Sequence, residues 1–216
     1  CCRVRCITHG WFTEVSSVDR YEAAEAAHGP TQMVLGRGLG KVALFLHTAV
    51  AMTTVRPFRA SDLFAFNNVN MDHWTETYSN GFYFSYLAQW PDMTLTACAA
   101  HTDRMMGYVL GKAEGQEPGA NKRREPTLHG HVTAVTVAPE YRRLGVAQML
   151  MDIFELVSEH VYDGFFVDLF VRPSNEKAIG MYEKRGYSVY RRVHQYYRGV
   201  PGTRSEDGYG AQQVFV

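Results

Sequence analysis

Val135-Thr136-Val137-Ala138-Pro139-Glu140-Tyr141-Arg142-Arg143-Leu144-Gly145-Val146-Ala147 is the stretch whose reading decides the fold. Its first residues close a β-type run, His131–Val137. Its last residues open a helix, Val146–His160, in which Met149, Leu150, Ile153, Phe154 and Val157 recur at helical spacing. Between the two stands Arg-x-x-Gly-x-Ala. The first turn of a helix carries unpaired N–H groups and the positive end of the helix dipole, so it attracts anions. Gly145 lets the backbone come close to a pyrophosphate, Ala147 keeps the approach open, and Arg142 and Arg143 add positive charge. The same residues also describe an ordinary strand-to-helix loop with two solvated arginines, and the motif alone does not separate the two.

Downstream, Phe165–Val171 reads as an apolar strand. Ser174–Arg185 reads as a helix with Gly186 in the C-cap position, and Tyr187–Tyr197 as a final strand. Upstream, Thr54–Pro57 is a short strand, and Ser61-Asp62 caps a helix running through Leu63, Phe64 and Phe66. A second helix covers Phe82–Gln89 and stops before Pro91. Thr94–Ala99 and Met106–Lys112 form a hairpin across the polar turn His101–Arg104. Glu114–Pro126, with its basic run Lys122-Arg123-Arg124, is expected to be a solvated loop. An antiparallel start followed by strand–helix–strand–helix–strand predicts an α+β, three-layer domain over residues 52–200, with a mixed central sheet flanked by helices. Residues 201–216 are expected to be a C-terminal tail.

Residues 1–51 lack sustained periodicity and are expected to be a disordered leader or a gene-model extension, because Met52-Thr53-Thr54-Val55-Arg56 reads as a start. Gly36-Arg37-Gly38-Leu39-Gly40-Lys41 lacks the spacing of a P-loop. The apolar run Val42–Met52 is too short to span a bilayer. Lys+Arg and Asp+Glu balance at 22 each, so no global field draws the chain to nucleic acid or an anionic membrane, and function must come from local sites. Cys1, Cys2, Cys6 and Cys98 form neither a disulfide framework nor a zinc pattern, which suits a reducing compartment.

A second motif follows the first: Asn175, then Ala178, Tyr182 and Gly186-Tyr187. Together with Arg-x-x-Gly-x-Ala it resembles the signature of the GNAT acetyltransferases, Asn-x-x-Ala-x-x-x-Tyr-x-x-x-Gly-(Phe/Tyr). Within that superfamily the chain is most similar to the catalytic subunits of NatB-type N-terminal acetyltransferases. The similarity runs from Met52 to about Tyr197, through Phe66-Asn67-Asn68-Val69-Asn70, Thr75-Glu76-Thr77-Tyr78, Gly111-Lys112-Ala113-Glu114-Gly115, His129-Gly130-His131-Val132-Thr133-Ala134 and Phe165-Phe166-Val167-Asp168-Leu169-Phe170-Val171-Arg172. The Thr75–Tyr78 segment is the most telling, because other N-terminal acetyltransferases share the cofactor loop but differ there.

The resemblance implies the GNAT acyltransferase fold and an enzyme that uses acetyl-CoA and no metal. It implies acetyl transfer to the α-amine of proteins beginning Met-Asp, Met-Glu, Met-Asn or Met-Gln. Val135, Val137, Arg142, Arg143, Gly145, Val146, Ala147 and Asn175 would hold the cofactor. Val137 N–H would also face the oxyanion, and Tyr182 would protonate the departing thiolate. Glu76 and His131 would stand near the substrate amine; an α-amine of pKa about 7.7–8.0 asks little of a base. Glu76, Tyr78, His131, Tyr196 and Tyr197 would line the peptide cleft.

The resemblance further implies a large helical auxiliary subunit docked near Phe64 and Phe66, ribosome contact through that subunit, nascent N-termini as substrates, and a cytoplasmic location. Two other readings stay open at this point. One is a GNAT enzyme with a different amine acceptor, a lysine side chain or a small molecule. The other is a silent GNAT-fold binding subunit, which a broken loop or a lost Tyr182 position would mark.

Overall fold

The computed structural model describes residues 4–8, 11–15, 53–71, 74–115, 128–199 and 204–215. The chain divides into two compact units, Cys1–Ala51 and Met52–Val216. In the first, β1 (Val4–Thr8) pairs antiparallel with β2 (Trp11–Val15), Val4 opposite Val15 and Thr8 opposite Trp11. This hairpin departs from the expectation of a structureless leader. The rest of that expectation, with Gly36–Lys41 and Val42–Ala51, lies outside the described residues, as does most of the Glu114–Pro126 loop.

The second unit is built on one seven-stranded sheet. Its strands are β3 (Thr53–Pro57), β4 (Thr94–Ala99), β5 (Met105–Glu114), β6 (His129–Val137), β7 (Phe166–Val171), β8 (Ser188–Tyr197) and β9 (Glu206–Val214), in the order β3-β4-β5-β6-β7-β9-β8. Every pairing is antiparallel except β6 with β7. Within the stretch expected to be a C-terminal tail, Glu206–Val214 is therefore a strand of the sheet. The alternation of Asp207, Tyr209 and Ala211 with small or polar residues lets Glu206–Val214 insert between β7 and β8, hydrogen-bonded on both sides. A run this polar and glycine-rich has weak strand propensity, and its two neighbours supply what propensity does not.

Among the described residues four α-helices attend the sheet: α1 (Asn67–Asn70), α2 (Asn80–Gln89), α3 (Val146–His160) and α4 (Glu176–Lys184). The helix expected from Ser61 is instead a 3₁₀ turn, Ala60–Phe64, followed by the single turn of α1. Asp62 explains the break. It is buried, and it grips Arg56 through two bonds of 2.7 and 2.9 Å while accepting the Arg59 N–H at 2.7 Å. A side chain tied to the preceding strand and to the turn's own start leaves no room for a longer helix. Phe66, expected near a partner surface, is buried in an aromatic cluster with Phe58, Tyr83, Tyr86 and Tyr108, whereas Phe64 stands 89% exposed.

α3 packs closest to the sheet. Phe154, fully buried, lies over the backbones of Gly111 on β5 and Gly130 on β6; a Cβ on Gly111 would stand 2.3 Å from the Phe154 ring and 2.8 Å from the His131 carbonyl oxygen. Neither obstacle can swing aside, since one is packed ring and the other backbone. Gly111→Ala is therefore expected to destabilise the fold by about 1–3 kcal/mol, the scale of overpacking, read as a lower denaturation midpoint at unchanged m-value.

Candidate active site

The parallel pairing of β6 with β7 is brief: His129, Gly130, His131 and Val132 stand opposite Phe166, Val167, Asp168 and Leu169, and pairing then stops. The cause lies on the other side of β6. Leu110 of β5 pairs with Ala134, but Gly111 pairs with Val132, so Thr133 is one residue too many. Such a bulge sharpens the local twist and bends the strand that carries it. It also resets the facing of the side chains. Before the bulge Gly130 faces Phe154 and Ser158 of α3. After it Thr136 faces the other way, donating to the Val69 carbonyl at 3.3 Å and accepting from Thr75 Oγ1 at 2.8 Å. The Thr133 hydroxyl is itself tied to Tyr86 Oη at 2.9 Å.

Where β6 leaves β7 a cleft of about 1030 Å³ opens. Its β6 wall is Thr133–Val137 and its β7 wall is Leu169–Arg172. The backbone of that β6 wall is only half used. Ala138 N–H donates to the Met106 carbonyl at 2.8 Å on the β5 side. By strict alternation the N–H groups of Val137 and Val135 point the opposite way, into the cleft. The Val137 carbonyl points there too, and takes the Arg142 Nε–H at 3.2 Å.

One end of the cleft is an anion cradle. Arg143 and Gly145 both adopt left-handed backbone, at φ of 66° and 82°. For Gly145 this is unstrained, whereas for Arg143 it is an uncommon conformation of the kind that gathers at functional loops. Gly145 is the N-cap residue of α3 and supplies no side chain to cap it. The helix's first bond runs from Met149 N–H to the Gly145 carbonyl at 3.0 Å, so the N–H groups of Val146, Ala147 and Gln148 have no intrahelical partner. Gly145, Val146, Ala147, Arg142 and Arg143 line the cleft there.

Across from them, Asn175 caps α4 by accepting the Ala178 N–H at 3.2 Å and lines the cleft as well. Tyr182, about two helical turns further, is buried yet reaches the same wall. Burial pushes its pKa well up, with Arg185 pulling only slightly down, so the hydroxyl keeps its proton.

The other end is aromatic and charged. Tyr78 stacks on Phe82 at 4.2 Å, and Tyr196 on Phe170 at 4.3 Å. His131 lies 5.9 Å from Phe170 and bonds Asp168 Oδ1 through Nδ1 at 2.7 Å. Arg172, at the end of β7, is a hub. It ion-pairs with Glu76, bonds Glu206 at 3.3 Å, and lies 4.1 Å over the Tyr197 ring. Glu206 in turn accepts the Ser174 N–H at 2.8 Å. Arg172 thus ties the Thr75–Tyr78 segment, the start of β9 and the end of β8 to one guanidinium.

Every residue singled out in the sequence lines this one cleft: Glu76, Tyr78, His131, Val135, Val137, Arg142, Arg143, Gly145, Val146, Ala147, Asn175, Tyr182, Tyr196 and Tyr197. Thr75 and Arg172 also line it, and Asp168 lies behind His131 on a smaller neighbouring cavity. Asp168 was detectable as the single acid in an apolar strand, a position that a carboxylate holds only with partners. Arg172 and Thr75 carried no such signal. Among the described residues no group of three or more His, Cys, Asp or Glu could hold a metal ion. Nor is any helix among them long and apolar enough to cross a membrane.

The model of the acetyltransferase (GNAT) family matches residues 63–187. N-alpha-acetyltransferase 20 of Dictyostelium discoideum is 55% identical over 148 residues, 68% of this chain and 80% of that protein. The N-terminal acetyltransferase B complex catalytic subunit of Arabidopsis thaliana is 50% identical over 157 residues, 73% of this chain and 82% of that one. Among solved structures, a chain of the NatB acetyltransferase complex bound to CoA and MES superposes with a TM-score of 0.64 at 36% identity, covering 75% of this chain and 99% of that one. The chain belongs to the acetyltransferase (GNAT) family, on the branch of the N-terminal acetyltransferase B catalytic subunits.

Proposed function

We propose that this chain transfers the acetyl group of acetyl-CoA to the α-amine of proteins beginning Met-Asp, Met-Glu, Met-Asn or Met-Gln, as the catalytic subunit of a NatB-type complex. The observation that carries the reading is the opening between β6 and β7. It presents two free strand amides, an uncapped helix N-terminus and a polar aromatic pocket along one cleft. Every group invoked falls within Met52–Val216.

The pyrophosphate of acetyl-CoA sits on the α3 N-terminus, held by the amides of Val146 and Ala147 with Arg142 and Arg143 beside it. The pantetheine arm runs along the free edge of β6 past Asn175, which brings the thioester carbonyl to the Val135–Val137 amides. These amides stabilise the oxyanion as it forms. Two protons must move. The substrate ammonium loses one to a base so that its lone pair can attack, and Glu76 and His131 are the groups on that side. The new C–N bond forms, the C–S bond breaks, and the thiolate takes a proton from Tyr182, which recovers one from the nitrogen as it becomes an amide. The balance is one amide, one thiol and one proton released.

The peptide enters over Tyr78, Tyr196 and Tyr197, its methionine against the rings, its α-amine toward Glu76 and His131, and its second side chain toward the tyrosine hydroxyls. An acceptor set that includes both acids and amides needs hydrogen-bond donors more than one fixed charge.

Phe64 at 89%, Met71 at 84% and Phe84 at 48% exposure lie on the α1–α2 side of the domain, and this apolar surface is where the auxiliary subunit docks. Through that subunit the enzyme meets the ribosome and nascent chains in the cytoplasm.

Three outcomes test this. Acetyl-CoA should raise the melting temperature of the wild-type protein; Gly145→Glu, which sets bulk and negative charge against the pyrophosphate, should abolish that rise in a folded protein. Tyr182→Phe should lower turnover by about 10²-fold or more, the scale of general acid catalysis, with little change in the acetyl-CoA thermal shift. In a panel of peptides assayed with the auxiliary subunit present, Met-Asp and Met-Glu should be the best acceptors and Met-Asn and Met-Gln detectable. Met-Leu and Met-Lys should be poor, because each site group left unpaired costs about 1–3 kcal/mol. Best activity on Met-Leu peptides or on lysine side chains would refute the substrate class and leave the family intact.

A further inference from the structure

Asp168 sits where a carboxylate is expensive. It is 5% exposed, in the middle of Phe166–Val171, and a buried ion persists only when its oxygens are satisfied. Both are: Oδ1 accepts the His131 Nδ1–H at 2.7 Å and Oδ2 accepts the Tyr190 hydroxyl at 3.0 Å. His131 and Asp168 are direct partners in the short parallel ladder, so the backbone itself fixes their approach. Tyr190 comes from β8, a third strand. Burial alone would raise the Asp168 pKa, but the bond from His131, the charges of His131 and His129, and the bond from Tyr190 outweigh it, and the carboxyl stays ionised. The Tyr190 hydroxyl, its pKa pushed up to about 12 by burial and by Asp168, stays protonated and donates.

An ionised carboxylate accepts only, so Nδ1 carries the proton and Nε2 is the basic nitrogen of a side chain that lines the cleft. The other candidate base is differently placed, since the Glu76 carboxylate is already engaged by Arg172. Resting on the reading above, we propose that Asp168, backed by Tyr190, is a positioning residue that sets His131 as the acceptor of the first proton from the substrate ammonium. The imidazolium that forms has a carboxylate waiting 2.7 Å from its other nitrogen, as a triad acid serves its histidine. That proton then leaves to solvent, and His131 also borders a second, smaller cavity lined by Glu114, His129, Asp168 and Tyr190 through which it can depart.

Other charges face His131 from each neighbouring element. Lys112 and Glu114 on β5 pair with each other. His129 on β6 lies 3.7 Å from both Glu114 and Asp168. Arg191 on β8 lies over the Phe170 and Tyr190 rings, with Tyr196 also on that strand. Glu76 and Tyr78 stand across the cleft. Of these, only Asp168 places a fully committed anion against the ring.

The test is the pH dependence of kcat/KM on the best α-amine peptide, measured on the intact complex for wild type, Asp168→Asn, Tyr190→Phe and Glu76→Gln. Asp168→Asn keeps the shape and removes the charge. Its kcat/KM should fall by tenfold or more at pH 7, and the acid limb of the profile should move to lower pH, because the imidazolium has lost its anionic partner. Tyr190→Phe should reduce kcat/KM by a few-fold without moving the limb downward. Glu76→Gln should lower activity and leave the limb where it is. The acetyl-CoA thermal shift reports whether each variant is folded.

A folded Asp168→Asn enzyme with the wild-type acid limb overturns the proposal, as does a limb that moves with Glu76→Gln instead. If Asp168→Asn does not fold, the wild-type protein decides: ¹⁵N NMR of the neutral His131 ring should show the proton on Nδ1, and a proton on Nε2 refutes the arrangement. A wild-type complex that acetylates no α-amine peptide would instead refute the function on which this rests, so the two failures are distinct.

Discussion

Thr133 has no partner on β5, and the active cleft depends on that mismatch. One surplus residue in β6 twists the strand away from β7 after only four paired positions, and so turns an interior ladder into an opening. The amides of Val135 and Val137 would be spent on a neighbouring strand in an unbroken sheet. Here they face the cleft instead, where donors fixed in advance suit the oxyanion of the proposed reaction. The same surplus residue swaps the facing of β6, so that Gly130 and Val132 serve the α3 side while Ala134 and Thr136 serve the α1–α2 side. A strand that changes faces mid-course can anchor two helical layers and line a cleft between them.

A gap in a sheet must be held open, and polar contacts do so at both ends. Thr136 is fastened to Val69 and Thr75, and Thr133 to Tyr86, so the α1–α2 layer and the Thr75–Tyr78 segment are pinned to the departing half of β6. On the far wall, Arg172 gathers Glu76, Glu206 and the Tyr197 ring. Its side chain is about one-fifth exposed, so these pairs are screened and serve geometry more than stability. α3 and α4 are joined away from the cleft by Arg185, which bonds Asp152 at 2.7 Å and Glu155 at 2.6 Å, with Tyr187 also donating to Glu155 at 2.9 Å. The helix ends that bear the anion cradle and Tyr182 are thereby held at a fixed distance.

Much of this was legible before any coordinates. The helix Val146–His160 and the strand ending at Val137 follow from periodicity, because α3 buries one face only. Asn175, Tyr182 and Gly145 were recognisable because local backbone needs and a spaced motif coincide at those positions. Two elements misled for physical reasons. Ser61-Asp62 has the chemistry of a helix cap, but Asp62 spends its carboxylate on Arg56 and Arg59. Glu206–Val214 lacks the apolar run of a buried strand, because partners on both sides satisfy its backbone.

The sequence by itself determined the elements whose signals are local: the amphipathic helices, the glycine at the head of α3, and the family to which those motifs point. Only the tertiary structure decided what the residues do to one another. A bulge is a mismatch between two strands and is invisible in either alone, so neither the opening of the cleft nor the free amides of Val135 and Val137 could be read from β6. The pairing of Asp168 with His131 and with Tyr190, and of Glu76 with Arg172, joins residues from 22 to 96 positions apart. Sequence periodicity reports which face of an element is buried; it does not report which group on another strand will lie within hydrogen-bond reach, and that distance decides whether a buried carboxylate is a liability or a satisfied partner.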